Sequence, residues 1–442
     1  MKGDNGLVRS PLLAVLVLAL CLGMQFVPDR LWPHHVFGKP LKRPDMTSIF
    51  VPRAKSDTSD AEEPGSGSSF EGTPIEDYSR HHDALARFFG KLRDTESLGR
   101  PVHVAFMGDS FIEGDILVAD FRTYMQGKYG GGGVGFVPVS SNVDQYRSTV
   151  RMKSEGWKTW SVLSDRTHRY TLPFTMFEAE KSDPAIRVST TKRYRDLWSS
   201  SVVSLISEGG LGSSVTLETG GKDSLTVHLG SESTMVSTRI ADNLGKFRLR
   251  FADAEGIKVL GLTLDDVAGV SVDNFSLRGN SGLILQAMDS AECSAFNQIR
   301  PYDLIILEYG LNVASDSVRD YDWYAKGMEN SVEHVRKCFP DADILLLGIS
   351  DRGHMTGEGI ATMPAVPALV AAQKKCARAT GIAFWDTYRA MGGRNSMVKW
   401  VKWKWAAEDY THIGFKGGRI LAGKLSDAFD HEYEYYESGV RK

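Results

Sequence analysis

The sequence predicts an α/β protein: a mostly parallel sheet in a three-layer arrangement, interrupted by an inserted all-β sandwich and preceded by a membrane anchor. Apolar runs typical of buried strands alternate with helical patterns in the second half of the chain. A middle segment contains short alternating strands between turn residues, and the N-terminus carries a long apolar run. The buried-strand runs are 302–309, 342–349 and 382–385, and the helical patterns are 324–337 and 367–380.

Length and composition narrow the classes of function. A chain of 442 residues with 24% charged side chains can bury more than one core, so we expect two folded units with appendages. The formal net charge is -3 and no segment carries clustered basic residues, so no nucleic-acid partner is expected. The cysteines show no close-spaced metal pattern and do not imply a disulfide. They are Cys21, Cys293, Cys338 and Cys376.

Residues 1–30 are predicted to be a signal anchor that partners the membrane. Lys2 and Arg9 precede an apolar run over 11–24, close to the shortest length that spans a bilayer. Because no small-x-small cleavage site follows, we expect an uncleaved anchor, with a cleaved signal peptide and secretion as the alternative. Positive charge before the run predicts that the body is periplasmic or otherwise extracytoplasmic, tethered to the inner membrane.

Residues 31–72 are predicted to be a flexible linker, because 54–72 is rich in Ser, Asp, Glu, Gly and Thr and cannot bury enough apolar surface to fold. The first part of the α/β domain is predicted over 73–139. The sequence Thr73-Pro74-Ile75-Glu76 combines a helix cap, a proline at the first helical position and a capping-box Glu, so a helix is predicted to begin there. Its apolar face is predicted to be Leu85, Phe88, Phe89 and Leu92.

A buried strand over 102–107 stops at Gly108-Asp109-Ser110, which is followed by a helical pattern. Ser110 is therefore predicted on a strand-to-helix turn at the carboxyl end of a parallel strand, where α/β sheets build their sites. Its hydroxyl is a candidate nucleophile. Ordinary turn chemistry explains the tripeptide equally well when it is taken alone.

The glycine-rich run 129–136 follows the next helical pattern. It lacks the lysine of a phosphate-binding loop, so we interpret it as a flexible turn beside the site. A second interpretation is that one of these glycines, such as Gly133, supplies a backbone N–H that stabilises the oxyanion formed when the serine attacks.

Residues 140–269 are predicted to be an inserted β-sandwich. The strands are short, alternate in polarity and are separated by Gly, Asp, Ser and Asn turns. They include 202–206, 214–218, 224–229 and 247–251.

The second part of the α/β domain, 270–442, contains Asp409 and His412 just before a helical pattern. A serine hydroxyl becomes a good nucleophile when a histidine takes its proton, and a carboxylate orients that histidine. Asp409 and His412 can supply this pair from one local segment. Together with Ser110 they are the predicted catalytic residues.

These blocks resemble those of SGNH (GDSL-type) hydrolases, whose fold is a flavodoxin-like parallel sheet. The resemblance maps the family's four blocks onto Ser110, Gly279, Asn312 and Asp409 with His412. It implies an oxyanion hole made by the N–H groups of Ser110 and Gly279 and the Asn312 amide, with Gly133 as the alternative glycine. Val313 stands where the family often has an Asp, which affects a supporting hydrogen bond.

An SGNH domain split by a β-sandwich resembles the peptidoglycan O-acetylesterases, in which the insertion is similar to a carbohydrate-binding module. The alternative is that the insertion is a spacer that forms one wall of the cleft. The segment 399–405 interleaves Lys and Trp beside Asp409, which suits a glycan, although a packed amphipathic helix with solvated lysines explains it equally well. The predicted substrate-binding residues are Asp109, Gly133, Trp400 and Trp403.

The sequence thus predicts an exported serine esterase that removes O-acetyl groups from a cell-envelope glycan, with peptidoglycan as the expected substrate. No metal and no organic cofactor are expected. Two alternatives use the same fold: a polysaccharide O-acetyltransferase, and a non-catalytic glycan-binding protein of the cell envelope.

Overall fold

The structure is a computed structural model that describes residues 35–36, 39–40, 72–141, 143–191, 202–220, 224–230, 234–241 and 245–439. The predicted anchor and nearly all of the predicted linker lie outside the described residues. No helix in the described part of the chain is long and apolar enough to cross a membrane.

The strands, in chain order, are β1 (His35–Val36), β2 (Lys39–Pro40), β3 (Ile75–Asp77), β4 (Val102–Gly108), β5 (Gly133–Val137), β6 (Val150–Glu155), β7 (Trp157–Ser161), β8 (Thr175–Ala179), β9 (Ala185–Thr190), β10 (Val202–Glu208), β11 (Ser214–Glu218), β12 (Ser224–His228), β13 (Met235–Ala241), β14 (Lys246–Ala252), β15 (Lys258–Asp265), β16 (Val270–Ser276), β17 (Leu304–Glu308), β18 (Asp343–Leu347), β19 (Gly353–Thr356), β20 (Gly359–Thr362) and β21 (Ala383–Trp385). The helices are α1 (Ala86–Arg93), α2 (Val118–Tyr129), α3 (Ser290–Ile299), α4 (Asp322–Cys338), α5 (Ala365–Thr380), α6 (Thr387–Met391), α7 (Ser396–Lys402) and α8 (Phe415–Glu437).

A six-stranded sheet forms the centre of the α/β part, in the order β16-β4-β17-β18-β21-β3. All neighbours are parallel except β3, which pairs antiparallel with β21 at the edge. Every residue of β4, β17 and β18 is buried, which explains why these strands are nearly continuous apolar runs in the sequence.

Helices cover both faces of this sheet, so the predicted three-layer α/β fold is confirmed. One apolar core joins one face of the strands to α1, α2 and α8, through Phe88, Phe121 and Phe429 among others. The other core joins the opposite face to α3, α4 and α5, through side chains such as Phe296 and Leu369. The sheet therefore presents the carboxyl ends of its parallel strands at one rim.

Two antiparallel sheets form the all-β part. One has the order β13-β10-β15-β8-β7, with β5 also paired to β15, and the other has the order β12-β11-β14-β9-β6. An apolar core shared by strands of both sheets contains Leu205, Leu249 and Leu262. The first of these strands, β5, begins at Gly133, before the predicted start of the insertion at 140. The glycine-rich run therefore comprises the start of β5 and the residues that lead into it, and it is not a flexible turn.

The predicted helix start at Thr73 is wrong. Residues Ile75–Asp77 are the edge strand β3, in register with Ala383–Trp385, and the indole N–H of Trp385 donates to the Thr73 carbonyl at 3.0 Å. The helix α1 begins only at Ala86, and it buries the predicted face. Pairing with a distant strand has overridden a local capping signal.

Candidate active site

Ser110 follows the carboxyl end of β4, at the predicted strand-to-helix turn. Gly108 ends the strand where space is tight, because a Cβ there would lie 2.9 Å from the Ile112 side chain and 3.0 Å from the Glu308 carbonyl oxygen. The glycine lets the chain turn away from β17 and leaves Ser110 half-buried at the rim of the sheet.

His412 and Asp409 meet Ser110 from the loop before α8. Ser110 Oγ lies 3.1 Å from His412 Nε2, and His412 Nδ1 lies 2.7 Å from Asp409 Oδ2. The other carboxylate oxygen, Asp409 Oδ1, accepts the backbone N–H of Thr411 at 2.9 Å and that of His412 at 3.0 Å. Asp409 thus fixes both the imidazole and the backbone that carries it, an arrangement that suits proton transfer from a serine hydroxyl.

The charge of Asp409 is favoured by these contacts. Burial raises the pKa of this carboxyl, but the hydrogen bonds from the His412 side chain and from the backbone outweigh it and lower the pKa to about 2. Asp409 is therefore ionised at neutral pH and can stabilise a protonated imidazole.

Asp109, the residue before the serine, links the serine turn to Asn312 through hydrogen bonds. Asp109 Oδ1 accepts the N–H of Phe111 at 2.9 Å, and Asp109 Oδ2 accepts the Asn312 amide at 2.6 Å. The same Asn312 amide nitrogen donates to the Asn280 carbonyl at 2.8 Å. Desolvation raises the pKa of Asp109 to about 6, although the N–H donors and His412 oppose it. Asp109 is thus a buried support of the site, not an exposed group that reaches substrate.

Gly279 lies in the loop that follows β16, one residue before Asn280. The Leu277 N–H donates to the Gly108 carbonyl at 2.8 Å, so this loop starts beside the serine turn. Gly279 is exposed and left-handed, with φ 76°, and a Cβ there would meet nothing within 4 Å. The structure therefore brings Gly279 and Asn312 to the same rim as Ser110, with Gly279 facing open space.

The structure corrects two predicted substrate contacts, Gly133 and Trp400, whereas the role of Trp403 stays a prediction. Gly133 starts β5, where it is packed against β15, and the nearby Gly131 is packed against Val270 at the amino end of the parallel strands. This is the end of the sheet opposite Ser110. Trp400 is 1% exposed, and its indole N–H donates to the Met391 carbonyl at 3.0 Å. Trp403 is half-buried, with its ring 4.8 Å from that of Trp405.

Sequence reasoning missed a buried carboxyl group beneath the site. Glu308 is the last residue of β17, lies in register with Gly108 and is 1% exposed. Its Oε2 has no hydrogen-bond partner in the described part of the chain. Desolvation, reinforced by Asp109, raises its pKa well above the usual range. The sequence signal for this group is an acidic residue at the end of an otherwise apolar strand.

Sequence reasoning also missed Arg352, which follows β18. Its guanidinium Nη1 lies 3.4 Å from the Leu311 carbonyl oxygen, next to Asn312, while the adjacent Gly353 N–H donates to the Tyr410 carbonyl at 2.8 Å. Arg352 therefore lies between the turn that carries Asn312 and the loop that carries His412.

A cleft opens beside residues 113–115, which follow the serine turn. It has a volume of about 430 Å³ and lies between Glu113 and Arg278 on the α/β side and Thr159 and Thr175 on the antiparallel sheets. Glu113 and Arg278 form an ion pair across its edge. No cluster of three His, Cys, Asp or Glu side chains suited to a metal occurs among the described residues.

No protein-family model and no curated protein matches this chain. Among solved structures, a peptidoglycan O-acetylesterase aligns with 82% of this chain and 99% of its own, with TM-score 0.68 and 22% identity. A family two carbohydrate esterase from Cellvibrio japonicus aligns with 65% of this chain and 99% of its own, with TM-score 0.27 and 12% identity. A lipase/acylhydrolase from Enterococcus faecalis aligns with 37% of this chain and 77% of its own, with TM-score 0.26 and 15% identity.

The fold is thus that of an α/β protein with a serine, a histidine and an aspartate at the carboxyl rim of its sheet. The predicted resemblance to a peptidoglycan O-acetylesterase is confirmed at the level of the fold, which the chain shares with a solved protein of that description over 82% of its length.

Proposed function

We propose that this protein is a serine esterase that removes O-acetyl groups from a cell-envelope glycan, with peptidoglycan as the substrate. The observation that carries the proposal is the hydrogen-bonded chain from Ser110 through His412 to Asp409, with links of 3.1 Å and 2.7 Å. This arrangement suits nucleophilic attack on an ester.

In the proposed reaction His412 Nε2 takes the proton of Ser110 as its Oγ attacks the acetyl carbonyl carbon. The tetrahedral intermediate collapses when the protonated His412 gives that proton to the departing sugar hydroxyl, leaving an acetyl ester on Ser110. Water, activated by His412, then attacks this ester and releases acetate and free Ser110. Asp409 keeps the imidazole in the required tautomer throughout.

The negative oxygen of each intermediate requires hydrogen-bond donors aimed at it. The N–H groups of Ser110 and Gly279 and the side-chain amide of Asn312 are the proposed donors. In the free protein the Asn312 amide nitrogen is engaged by Asp109 and by the Asn280 carbonyl, so one of these hydrogen bonds must be shared with the oxyanion. Asp109 holds the amide in reach of the intermediate.

The substrate class is supported by two observations. The fold matches that of a peptidoglycan O-acetylesterase over 99% of that protein's chain. The cleft between Arg278 and the antiparallel sheets is lined by residues 113–115, which follow the serine turn, and by residues 276–278, which precede Gly279, and we assign it to sugars next to the acetylated one. Export and tethering to the membrane are supported only by the apolar N-terminal run over 11–24.

The test is acetate release from O-acetylated peptidoglycan by the full-length protein and by its Ser110→Ala variant. We expect the variant to lose at least about 10³-fold in rate, because no nucleophile remains, with an unchanged melting temperature. Undiminished release by the variant would refute the assignment. Ser110-dependent hydrolysis of 4-nitrophenyl acetate without release from peptidoglycan would retain the esterase and reject the glycan. Acetyl groups found on an acceptor sugar would indicate a transferase.

A further inference from the structure

The backbone at Arg352 is held in place from both sides. The Arg352 carbonyl accepts the N–H of Met363 at 2.7 Å, and the next residue, Gly353, donates to the Tyr410 carbonyl. A Cβ on Gly353 would lie 2.8 Å from the Tyr410 Cβ, so the two segments are in close contact. Arg352 is consequently positioned by the same loop that carries Asp409 and His412.

The Arg352 side chain extends toward the other half of the site. Its contact with the Leu311 carbonyl, at 3.4 Å, is long for a hydrogen bond and occupies one of five guanidinium N–H donors. Leu311 begins the short 3₁₀ turn that contains Asn312. A group bound to the guanidinium would therefore lie next to the proposed oxyanion donors.

No described carboxylate neutralises this half-buried cation. The adjacent Asp351 uses one carboxylate oxygen for the Arg352 backbone N–H, and the other for the Met397 N–H at 2.8 Å and the Ser396 hydroxyl at 3.2 Å. The nearby Asp316 pairs with His354 at 2.9 Å. An arginine that is partly desolvated without an acidic partner retains its full capacity for a bidentate carboxylate.

We propose that Arg352 binds a carboxylate of the substrate and thereby selects acetylated glycans that carry acid groups over neutral ones. This inference rests on the proposed function, which it deepens by naming the recognised group. The carboxylate belongs either to the sugar itself or to a peptide attached to it. In both cases the guanidinium anchors the chain while the acetyl ester faces Ser110.

The test compares the full-length protein with Arg352→Gln and Arg352→Lys. The substrates are O-acetylated muropeptides, the same muropeptides with their carboxylates converted to methylamides, and neutral 4-nitrophenyl acetate. We expect amidation to raise the KM of the unaltered protein by about tenfold or more, and Arg352→Gln to raise the KM for untreated muropeptides equally. Arg352→Gln should be insensitive to amidation, Arg352→Lys should be intermediate, and kcat/KM for the neutral ester should stay within about twofold.

A purely structural role of Arg352, holding the Leu311 turn, predicts a different pattern. Arg352→Gln would then lower kcat equally for the neutral ester and for the muropeptides, and this result would overturn the proposal. Removing the stem peptide takes away the peptide carboxylates and frees a carboxylate on the sugar: a raised KM assigns the peptide, and an unchanged KM shows that the carboxylate of the sugar can take its place.

Calorimetric binding of muropeptides that carry no acetyl group keeps this test independent of turnover. If the unaltered protein binds the acid form about tenfold more tightly than the amidated form, and Arg352→Gln binds both alike, the anion site stands even where no acetate is released. Equal binding of both forms by the unaltered protein would reject the anion site while leaving the esterase proposal intact.

Discussion

The carboxylates of Asp109 and Asp409 near Ser110 differ in their exposure to solvent. Asp409 has a 49% exposed side chain and is held ionised by His412 and two backbone N–H groups. Asp109 is 1% exposed and lies close to the buried carboxyl group of Glu308, so its charge is poorly solvated. Hydrogen bonds thus keep Asp409 as an orienting anion, whereas burial raises the pKa of Asp109 to about 6.

This difference predicts how the stability contributed by Asp109 depends on pH. Its pKa is raised from 3.8 to about 6 on folding, so the folded protein binds the proton more tightly than the unfolded chain does. The stabilising contribution is therefore complete below about pH 4 and is lost as the pH rises through about 6. We expect the free energy of unfolding, relative to that of Asp109→Asn, to fall between pH 4 and pH 6 and to be level above. Denaturant unfolding of both proteins at each pH measures it, and a difference that increases over this interval would contradict it.

At the scale of the elements, the glycine-rich run before β5 serves strand packing. Gly133 has φ 77°, and a Cβ there would lie 1.9 Å from the Leu264 carbonyl oxygen of β15. Gly135 has φ 70°, with the Asp273 carboxylate 2.2 Å from a hypothetical Cβ. Only glycine allows β5 to approach β15 and β16 together, which gives these residues a role at the junction of the two sheets.

We therefore expect Gly133→Ala to lower the free energy of unfolding by about 2–4 kcal/mol, through the collision with β15 and the left-handed backbone. Gly127→Ala is the matched control, because Gly127 lies within α2 and its Cβ would meet nothing within 4 Å. That variant should be more stable by about 0.5–1 kcal/mol. Denaturant titrations of both variants measure these changes. Equal stability of the two variants would contradict the role of the glycine-rich run in strand packing.

Across the whole molecule, a buried ionic cluster joins the antiparallel sheets to the parallel sheet. Arg300, 4% exposed at the end of α3, donates to Asp265 of β15 at 2.7 Å and to Asp273 of β16 at 2.6 Å. Ser271 and Tyr302 complete the hydrogen bonds of the two carboxylates. Because each acid belongs to a different sheet, the arginine couples the two parts of the fold.

Removing this cation should destabilise the protein strongly. Arg300→Gln leaves two buried carboxylates without a counter-charge, so we expect a loss of about 3–5 kcal/mol in the free energy of unfolding. The exposed Arg187 of β9 provides the control, since Arg187→Gln should change stability by less than about 0.5 kcal/mol. If Arg300→Gln fails to fold, Arg300→Lys, which keeps the charge, should still fold with reduced stability. A melting curve of Arg300→Gln identical to that of the unaltered protein would refute the coupling.

Much of the α/β part was predictable because its signals are local. Strands buried on both faces must be apolar throughout, and helices on the sheet must be apolar on one side, so β17, β18, α4 and α5 follow from the sequence. The spacing of Asp409 and His412 lets one carboxylate bond both the imidazole and its backbone, which is also a local property.

The tertiary structure decided what depends on distant partners. Ile75–Asp77 forms a strand because it pairs with β21 at the edge of the sheet. Trp400 is buried in the core because the chain before α8 covers it. Gly133 lies at the end of the sheet opposite Ser110 because β5 pairs with β15. The environments of Asp109 and Glu308, and the position of Arg352 between two halves of the site, have the same origin. Residue types and their spacing in the sequence indicate which chemistry is available. The burial of a side chain and its distance from other groups are fixed only when segments remote in sequence pack together, because desolvation and contact are properties of the folded core.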